Sequence, residues 1–428
     1  MKFFQSTALG LQHLLAMYAG AILVPIIIGT ELGFNSQQMT YLVAIDILMC
    51  GVATLLQVYS GRIIGIGLPV VLGCTFTAVS PIIMIGNENG ITAIYGAIIA
   101  SGAIIFLIGG FFGQLVRFFP PVVTGTVVAT IGISLLPVAV NNMAGGLGAS
   151  DFASGENVAL AFITLAIILI IYRFFTGFIR AIAILLGMIG GTVLAIVIGA
   201  VDFSPVTEAS VFHMVQPFYF GVPTFNWSAI LTMTLVAMVS LVESTGVYFA
   251  LGDICDRQLK GKDLARGYRS EGLASIIGGI FNAFPYTTFS QNVGLTQVSG
   301  VKSRGVIVIT GVMLILLGFI PKLAALTLII PKAVLGAAML AMFGMVITQG
   351  VKMLAPAVTE SNENAMIAAI AIGLGVGVSV VPEIFASLPE GIKILTSNGI
   401  IAAATTAIVL NIFFNLIGPT TKKETHHL

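Results

Sequence analysis

Residues 284–294 read Phe-Pro-Tyr-Thr-Thr-Phe-Ser-Gln-Asn-Val-Gly, a polar stretch carrying Pro285 and Gly294 inside a chain that is otherwise almost continuously apolar. Few chains can fold around such a segment. The 428 residues are 57% hydrophobic and only 8% charged, with a mean hydropathy of +1.08. A soluble domain carries about 25% charged residues, so this composition describes an all-α polytopic membrane protein. At membrane depth a polar, helix-breaking segment costs several kcal/mol unless it lines a protein-buried or water-filled cavity. A counterpart lies in the first half, Gly-Leu-Pro-Val-Val-Leu-Gly-Cys-Thr-Phe-Thr-Ala-Val-Ser-Pro over residues 67–81. Two Gly/Pro-interrupted segments at matching positions in two halves point to a ligand site near the bilayer midplane.

Apolar runs of roughly 17 to 25 residues are the span candidates. Fourteen are read, at about 9–29, 38–58, 64–85, 91–114, 121–140, 157–175, 180–200, 226–251, 268–283, 286–301, 304–320, 326–348, 364–381 and 397–417. The third and tenth are the broken ones. Lys2 ahead of an apolar run superficially suggests a signal peptide, but the run from Leu9 to Ile28 is long enough to span and no small-x-small cleavage site follows it. The loops support the count. An even number of spans puts both termini on one side, and that side then holds all but Lys322, Lys332 and Lys393 of the 18 lysines and arginines. The opposite loops hold Glu31, Glu88, Asp151, Glu156, Asp202, Glu208, Glu383 and Glu390. The positive-inside rule therefore places both termini in the cytoplasm of a cell-membrane protein.

An internal repeat is visible. Pro69 and Pro285 precede the two broken segments, and Pro121-Val-Val-Thr-Gly125 finds a partner in Pro331-Lys-Ala-Val-Leu-Gly336. The offsets are 216 for the first pair (Pro69 to Pro285) and 210 for the second (Pro121 to Pro331), close to half the chain. Seven spans per half is an odd number, so the second copy must be inverted in the membrane.

Few residues can carry chemistry. Glu243 stands mid-way along the eighth span, where an ionisable group costs at least ~2.5 kcal/mol. A carboxyl there serves as a proton carrier or as an acceptor for ligand N–H groups; the alternative is a structural bond to a neighbouring helix. Glu271 opens the ninth span and could be simply a first-turn acid favoured by the helix dipole. Asp46 is the third acid at membrane depth, with no local partner evident and a structural role expected. His13, early in the first span, is read as a packing residue that supports the site. Gln291 and Asn292 sit at the break of the tenth span. Each amide both donates and accepts, which suits a flat heterocycle with alternating N–H and C=O edges. Half-helix N-termini near Phe76 and Ser290 would add free backbone N–H donors, and Phe76 and Phe289 are candidates for stacking, set against ordinary packing in a chain with 28 phenylalanines. Cys50, Cys74 and Cys255 are scattered and read as small buried hydrophobes. No metal cluster has ligand spacing, no phosphate-binding loop argues for direct use of ATP, no cofactor is implied, and no basic face suits nucleic acid.

Gln-His in span one, Glu243 in span eight, and Gln291-Asn292-x-Gly294 followed by Ser299-Gly300 resemble the nucleobase–cation symporter-2, or nucleobase–ascorbate transporter, family. The resemblance runs over essentially the whole chain. It implies a 7+7 inverted repeat with short antiparallel strands in the broken spans three and ten. It implies a core domain from residues 1–116 and 226–322 (spans 1–4 and 8–11) and a gate domain from residues 117–225 and 323–428 (spans 5–7 and 12–14). The span-eight glutamate of the family hydrogen-bonds the base, which falls on Glu243; the residue before the motif Asn reads its other edge. Uracil transporters usually carry Glu there, and xanthine and urate transporters carry Gln, as at Gln291. Gly300 matches many xanthine/urate members; Ser299 stands where Thr is common. Many members place His or Asp four residues after the glutamate, where this chain has Val247, so the resemblance leaves proton coupling to Glu243 and Glu271.

The expected function is proton symport of a purine nucleobase, xanthine or urate, by alternating access, in a homodimer formed through gate helices, with Glu243, Gln291, Phe76, Ser290, Asn292, Phe289 and Thr75 at the substrate. The alternatives are a permease for uracil or another nucleobase, an anion transporter of the same fold, and a passive channel.

Overall fold

The computed structural model describes residues 3–115, 119–212, 214–385, 387 and 398–417. The first helices, α1 (Phe3–Glu31) and α2 (Ser36–Val58), are followed by strand β1 (Leu72–Cys74), a 3-10 turn (Phe76–Ala78) and α3 (Val79–Asn89). Then come α4 (Ile91–Leu115), α5 (Pro121–Met143), α6 (Gly155–Phe174), the short α7 (Gly177–Ala181), α8 (Ala183–Val197) and the short α9 (Ser204–Glu208). The second half opens with α10 (Trp227–Ile254) and α11 (Gly261–Ile280), then β2 (Tyr286–Thr288) and α12 (Ser290–Ser299). It closes with α13 (Arg304–Gly318), α14 (Pro321–Leu328), α15 (Lys332–Glu360), α16 (Asn362–Val380) and α17 (Gly399–Asn411).

Local chemistry sets many of these boundaries. Asn35 caps α2 by accepting from the Gln38 amide at 2.9 Å, while the Gln38 side chain accepts from the Asn35 amide at 3.0 Å. Pro121 supplies a fixed φ at the first position of α5. Pro331 stops the chain between α14 and α15, so the predicted span 326–348 is in fact cut near its start and α15 runs on to Glu360. The predicted span 180–200 likewise divides into α7 and α8.

Nine helices among the described residues are long and apolar enough to cross a membrane, or ten if α13 and α14, bent by 81° at their junction, form one span. Fourteen segments were expected. The others are α3, α8 and α12, which are short, and α11, which is long enough but polar. Large apolar side chains such as Phe111, Phe174, Val197 and Phe413 face outward, the sign of a lipid-facing surface.

Glycine lets three antiparallel helix pairs approach closely. A methyl group at Gly51 of α2 would meet the Gly311 carbonyl of α13 at 2.5 Å, and one at Gly102 of α4 would meet the Gly272 carbonyl of α11 at 2.8 Å. One at Gly132 of α5 would meet the Phe343 carbonyl of α15 at 2.8 Å. Small residues at such crossings are how helices associate where lipid offers no hydrophobic driving force.

Candidate functional site

The two broken segments meet. β1 and β2 pair antiparallel, with Leu72 opposite Thr288, Gly73 opposite Thr287 and Cys74 opposite Tyr286. The Thr75 amide donates to the Pro285 carbonyl at 3.0 Å and the Phe289 amide to the Val71 carbonyl at 3.0 Å, extending the ladder by one bond at each end. Pro69 and Pro285 each keep the residue before them out of the helical region ahead of a strand, and Tyr286, Thr287 and Thr288 favour the extended stretch of β2. Helical structure restarts directly after each strand, at Phe76 and at Ser290, so amide groups without intrahelical acceptors lie at both ends of the ribbon.

A cavity of about 50 Å³ opens beside this ribbon. One wall is polar: Cys74, Phe76 and Thr77 after β1, Thr287 to Gln291 around β2, and Glu243 from α10. The other is apolar: Val128 and Ile131 from α5, Met342 and Val346 from α15. The side chains of Glu243, Ser290 and Gln291 have no hydrogen-bond partner among the described residues. Ser244, next to Glu243, fixes α10 to the ribbon: its hydroxyl lies 3.2 Å from Thr287 Oγ1 and accepts from the Thr288 amide at 3.4 Å.

The aromatic candidates differ. Phe289 is buried and its ring fills the space left by two glycines; a methyl at Gly20 of α1 would come within 2.6 Å of it, and one at Gly73 would collide. Phe76 is half-buried and meets Phe343 of α15 edge-on, with centroids 5.7 Å apart at 84°. Thr75 and Asn292 stand back from the cavity. Thr75 accepts from the Thr77 amide at 3.3 Å and lies 3.3 Å from the Ser240 hydroxyl. Asn292 Nδ2 donates to the His13 carbonyl at 2.9 Å and lies 3.1 Å from His13 Nδ1, tying α12 to α1.

Glu271 does not open its helix as expected: α11 begins at Gly261 with Asp263 as its first-turn acid, so Glu271 lies mid-helix. It is buried behind the ribbon, where it accepts from the Tyr248 hydroxyl, and that hydroxyl in turn accepts from Gln57 Nε2 of α2. Its second oxygen and Gln57 Oε1 have no partner among the described residues. Val247 is buried among apolar side chains beside Tyr248.

Asp46 has partners that its sequence neighbours do not show. It accepts from the Phe284 amide at 3.1 Å and from the Cys74 thiol. Cys50 Sγ is 3.8 Å from Cys74 Sγ. The ligand atoms of Asp46, Cys50 and Cys74 all lie within 4.8 Å of one another, so two cysteines read as isolated are in fact neighbours; a 24-residue separation hides this. Cys255 is only half-buried. Gly300 ends α12 with φ +65°, a left-handed cap that glycine takes without steric cost. This is the physical content of the last motif position.

A permease-family model matches residues 4–384. The chain belongs to the nucleobase–cation symporter-2 family. It is a nucleobase permease, not an enzyme. It is 59% identical to the xanthine permease of Bacillus subtilis (strain 168) over 422 residues, covering 99% of this chain and 96% of that one. It is also 59% identical to the uric acid permease PucK of the same organism over 415 residues, covering 97% and 96%. Among solved structures it is similar to the transmembrane domain of a cyanobacterium bicarbonate transporter, BicA, with TM-score 0.63 at 16% identity, covering 89% of this chain and 98% of that one. At that identity the likeness speaks for the fold alone.

Proposed function

We propose that this permease carries an oxidised purine, xanthine or urate, by proton symport. The observation that carries the reading is the convergence of three side chains without hydrogen-bond partners, Glu243, Ser290 and Gln291, on one cavity at the two broken segments. Polar groups at membrane depth are costly without partners, and a bound base would satisfy them. Glu243 would accept N–H groups from one edge, Gln291 would read the other, and the restarting helices would add backbone donors at Phe76 and Ser290. Phe76 would offer a stacking face; Phe289 would hold the ribbon against α1; Thr75, Asn292 and His13 would keep the half-helices in place.

The packing supports fourteen segments in a 7+7 inverted repeat. The ten spans by length, with α3, α8, α11 and α12, make fourteen in chain order. Contacts then occur in equivalent sets: α2 packs on α13 as α4 packs on α11, α6 on α15 as α16 on α5, and α6 on α8 as α16 on α17. The equivalent helices α5 and α15 pack on each other, as do the equivalent strands. The polar wall would then belong to a core domain (residues 1–116 and 226–322) and the apolar wall to a gate (residues 117–225 and 323–428). An ionised Glu243 would have to be moved past the apolar wall; a proton on it removes that cost, which couples substrate to proton during alternating access. Glu271 is the second candidate carrier. Cytoplasmic termini and a homodimer through gate helices complete the reading.

Radiolabelled uptake with competing purines and pyrimidines tests it. Xanthine or urate should compete and uracil should not, and a protonophore should collapse accumulation. Sodium dependence without response to the proton gradient would overturn the proton reading.

A further inference from the structure

A cleft of a different chemistry lies at the start of α11. Arg62, Lys262, Arg266 and Arg269 line a cleft of about 620 Å³ with Lys260 and a single carboxylate, Asp263. That carboxylate is already committed: it accepts from Arg257 at 2.9 Å and from Arg266, and from the Lys260 amide at 3.0 Å. Arg62, Lys260, Lys262 and Arg269 therefore form no ion pair among the described residues. A solvated face of like charges would spread apart, since each side chain gains by pointing to water. Here two arginines are held in. A methyl at Gly110 of α4 would come within 2.8 Å of Arg269 Nη2, so the guanidinium lies across that helix. Arg266 donates to the Gly61 carbonyl at 2.9 Å, and its Nε is buried without a partner. The amides of Gly261 and Lys262 head a 20-residue helix and have no intrahelical acceptor.

We propose that this cleft binds a phosphate-bearing anion. Unpaired guanidinium and ammonium donors gathered in a concavity, with helix-start amides, match the charge and the several acceptor oxygens of a phosphate group. The same helix carries Glu271, five residues after Arg266, and Gly65 beside the cleft donates its amide to Ser270 Oγ at 2.8 Å. An anion here would brace α11 directly below the Glu271–Tyr248–Gln57 chain. The phosphate can come from an anionic lipid headgroup or from a soluble species.

The full-length protein in neutral detergent is melted, with survival read by size-exclusion chromatography, against phosphatidylglycerol, phosphatidylcholine and inorganic pyrophosphate at constant ionic strength. Phosphatidylglycerol or pyrophosphate should raise the melting temperature, and phosphatidylcholine should not. In R62Q/K262Q/R269Q the half-saturating concentration should rise on the order of a hundredfold for three cations removed. A control, K322Q/K332Q, should respond as the parent does. A shift from the lipid alone assigns the headgroup; a shift from pyrophosphate alone assigns a soluble anion. No shift from either, an undiminished shift in the triple variant, or an equal loss in the control overturns the site. Arg62 and Lys262 are exposed, so R62Q/K262Q serves if the triple variant does not fold, with a proportionately smaller weakening expected.

Discussion

Two sets of polar groups flank the β1–β2 ribbon, and they are treated in opposite ways. In front, Glu243, Ser290 and Gln291 face the cavity with no hydrogen-bond partner among the described residues. Behind and around it, four comparable side chains are engaged: Asp46 with Phe284 and Cys74, Glu271 through one oxygen with Tyr248, Asn292 through its amide nitrogen with His13, and Ser244 with Thr287. Both sets are equally polar in sequence. A buried polar group must be hydrogen-bonded or bear the cost of desolvation; on the proposed reading the first set takes its partners from a bound base and the second builds the frame that holds it. In mutational terms, the front set should govern transport with little effect on stability, and the rear set the reverse.

Glu243→Gln is expected to have the largest effect. Losing one charged hydrogen bond to ligand costs about 1.5–3 kcal/mol, roughly tenfold to a hundredfold in affinity, and accumulation should be abolished or severely impaired while the melting temperature stays near the parent's. Near-normal binding and uptake by a well-expressed variant would take Glu243 out of the site. Glu271→Gln comes next and tests the boundary between the sets. If Glu271 carries the coupled proton, the variant binds xanthine but loses accumulation. Accumulation that survives alongside a lowered melting temperature would assign Glu271 to the frame.

Gln291→Glu should act on selectivity alone. The amide can donate to a ligand carbonyl, whereas a carboxylate only accepts, so xanthine should bind about tenfold more weakly and uracil should gain in competition. Unchanged affinities for both would show that Gln291 does not read the base. Asp46→Ala carries the smallest expected effect on affinity and the clearest on stability. It strands the Phe284 amide and the Cys74 thiol, at a cost of about 1–3 kcal/mol, seen as a lower melting temperature. Asp46→Asn keeps an acceptor for Phe284 and should be milder. An Asp46→Ala protein that melts like the parent yet binds no base would erase the distinction between front and rear.

Much of the candidate site was legible in sequence because a broken, polar stretch at membrane depth is costly unless it lines a cavity. Pro285 and Gly294 exposed the second half-helix, and the matching Pro69 exposed the first. Glu243 and Gln291 stood out by the same cost. The apolar wall was not named. Its helices were nonetheless marked, since the Pro121–Gly125 and Pro331–Gly336 repeats open α5 and α15. Val128, Ile131, Met342 and Val346 look like any other apolar residues in a chain full of them. The tethers were also out of reach. Asp46 and Phe284 are 238 residues apart, and His13 and Asn292 are 279 apart; no local pattern records such a meeting.

Membership of the membrane and the place of the breaks follow from composition and periodicity, because the bilayer penalises every unsatisfied backbone and side-chain group along the chain itself. Which polar groups remain without partners is a different matter. Asn292 follows Gln291 directly and has the same chemistry, yet the turn of α12 points one amide at His13 and leaves the other on the cavity. Hydrogen bonding is a short-range, directional interaction, so only the packed arrangement of α1, α10 and the ribbon could divide scaffold from site.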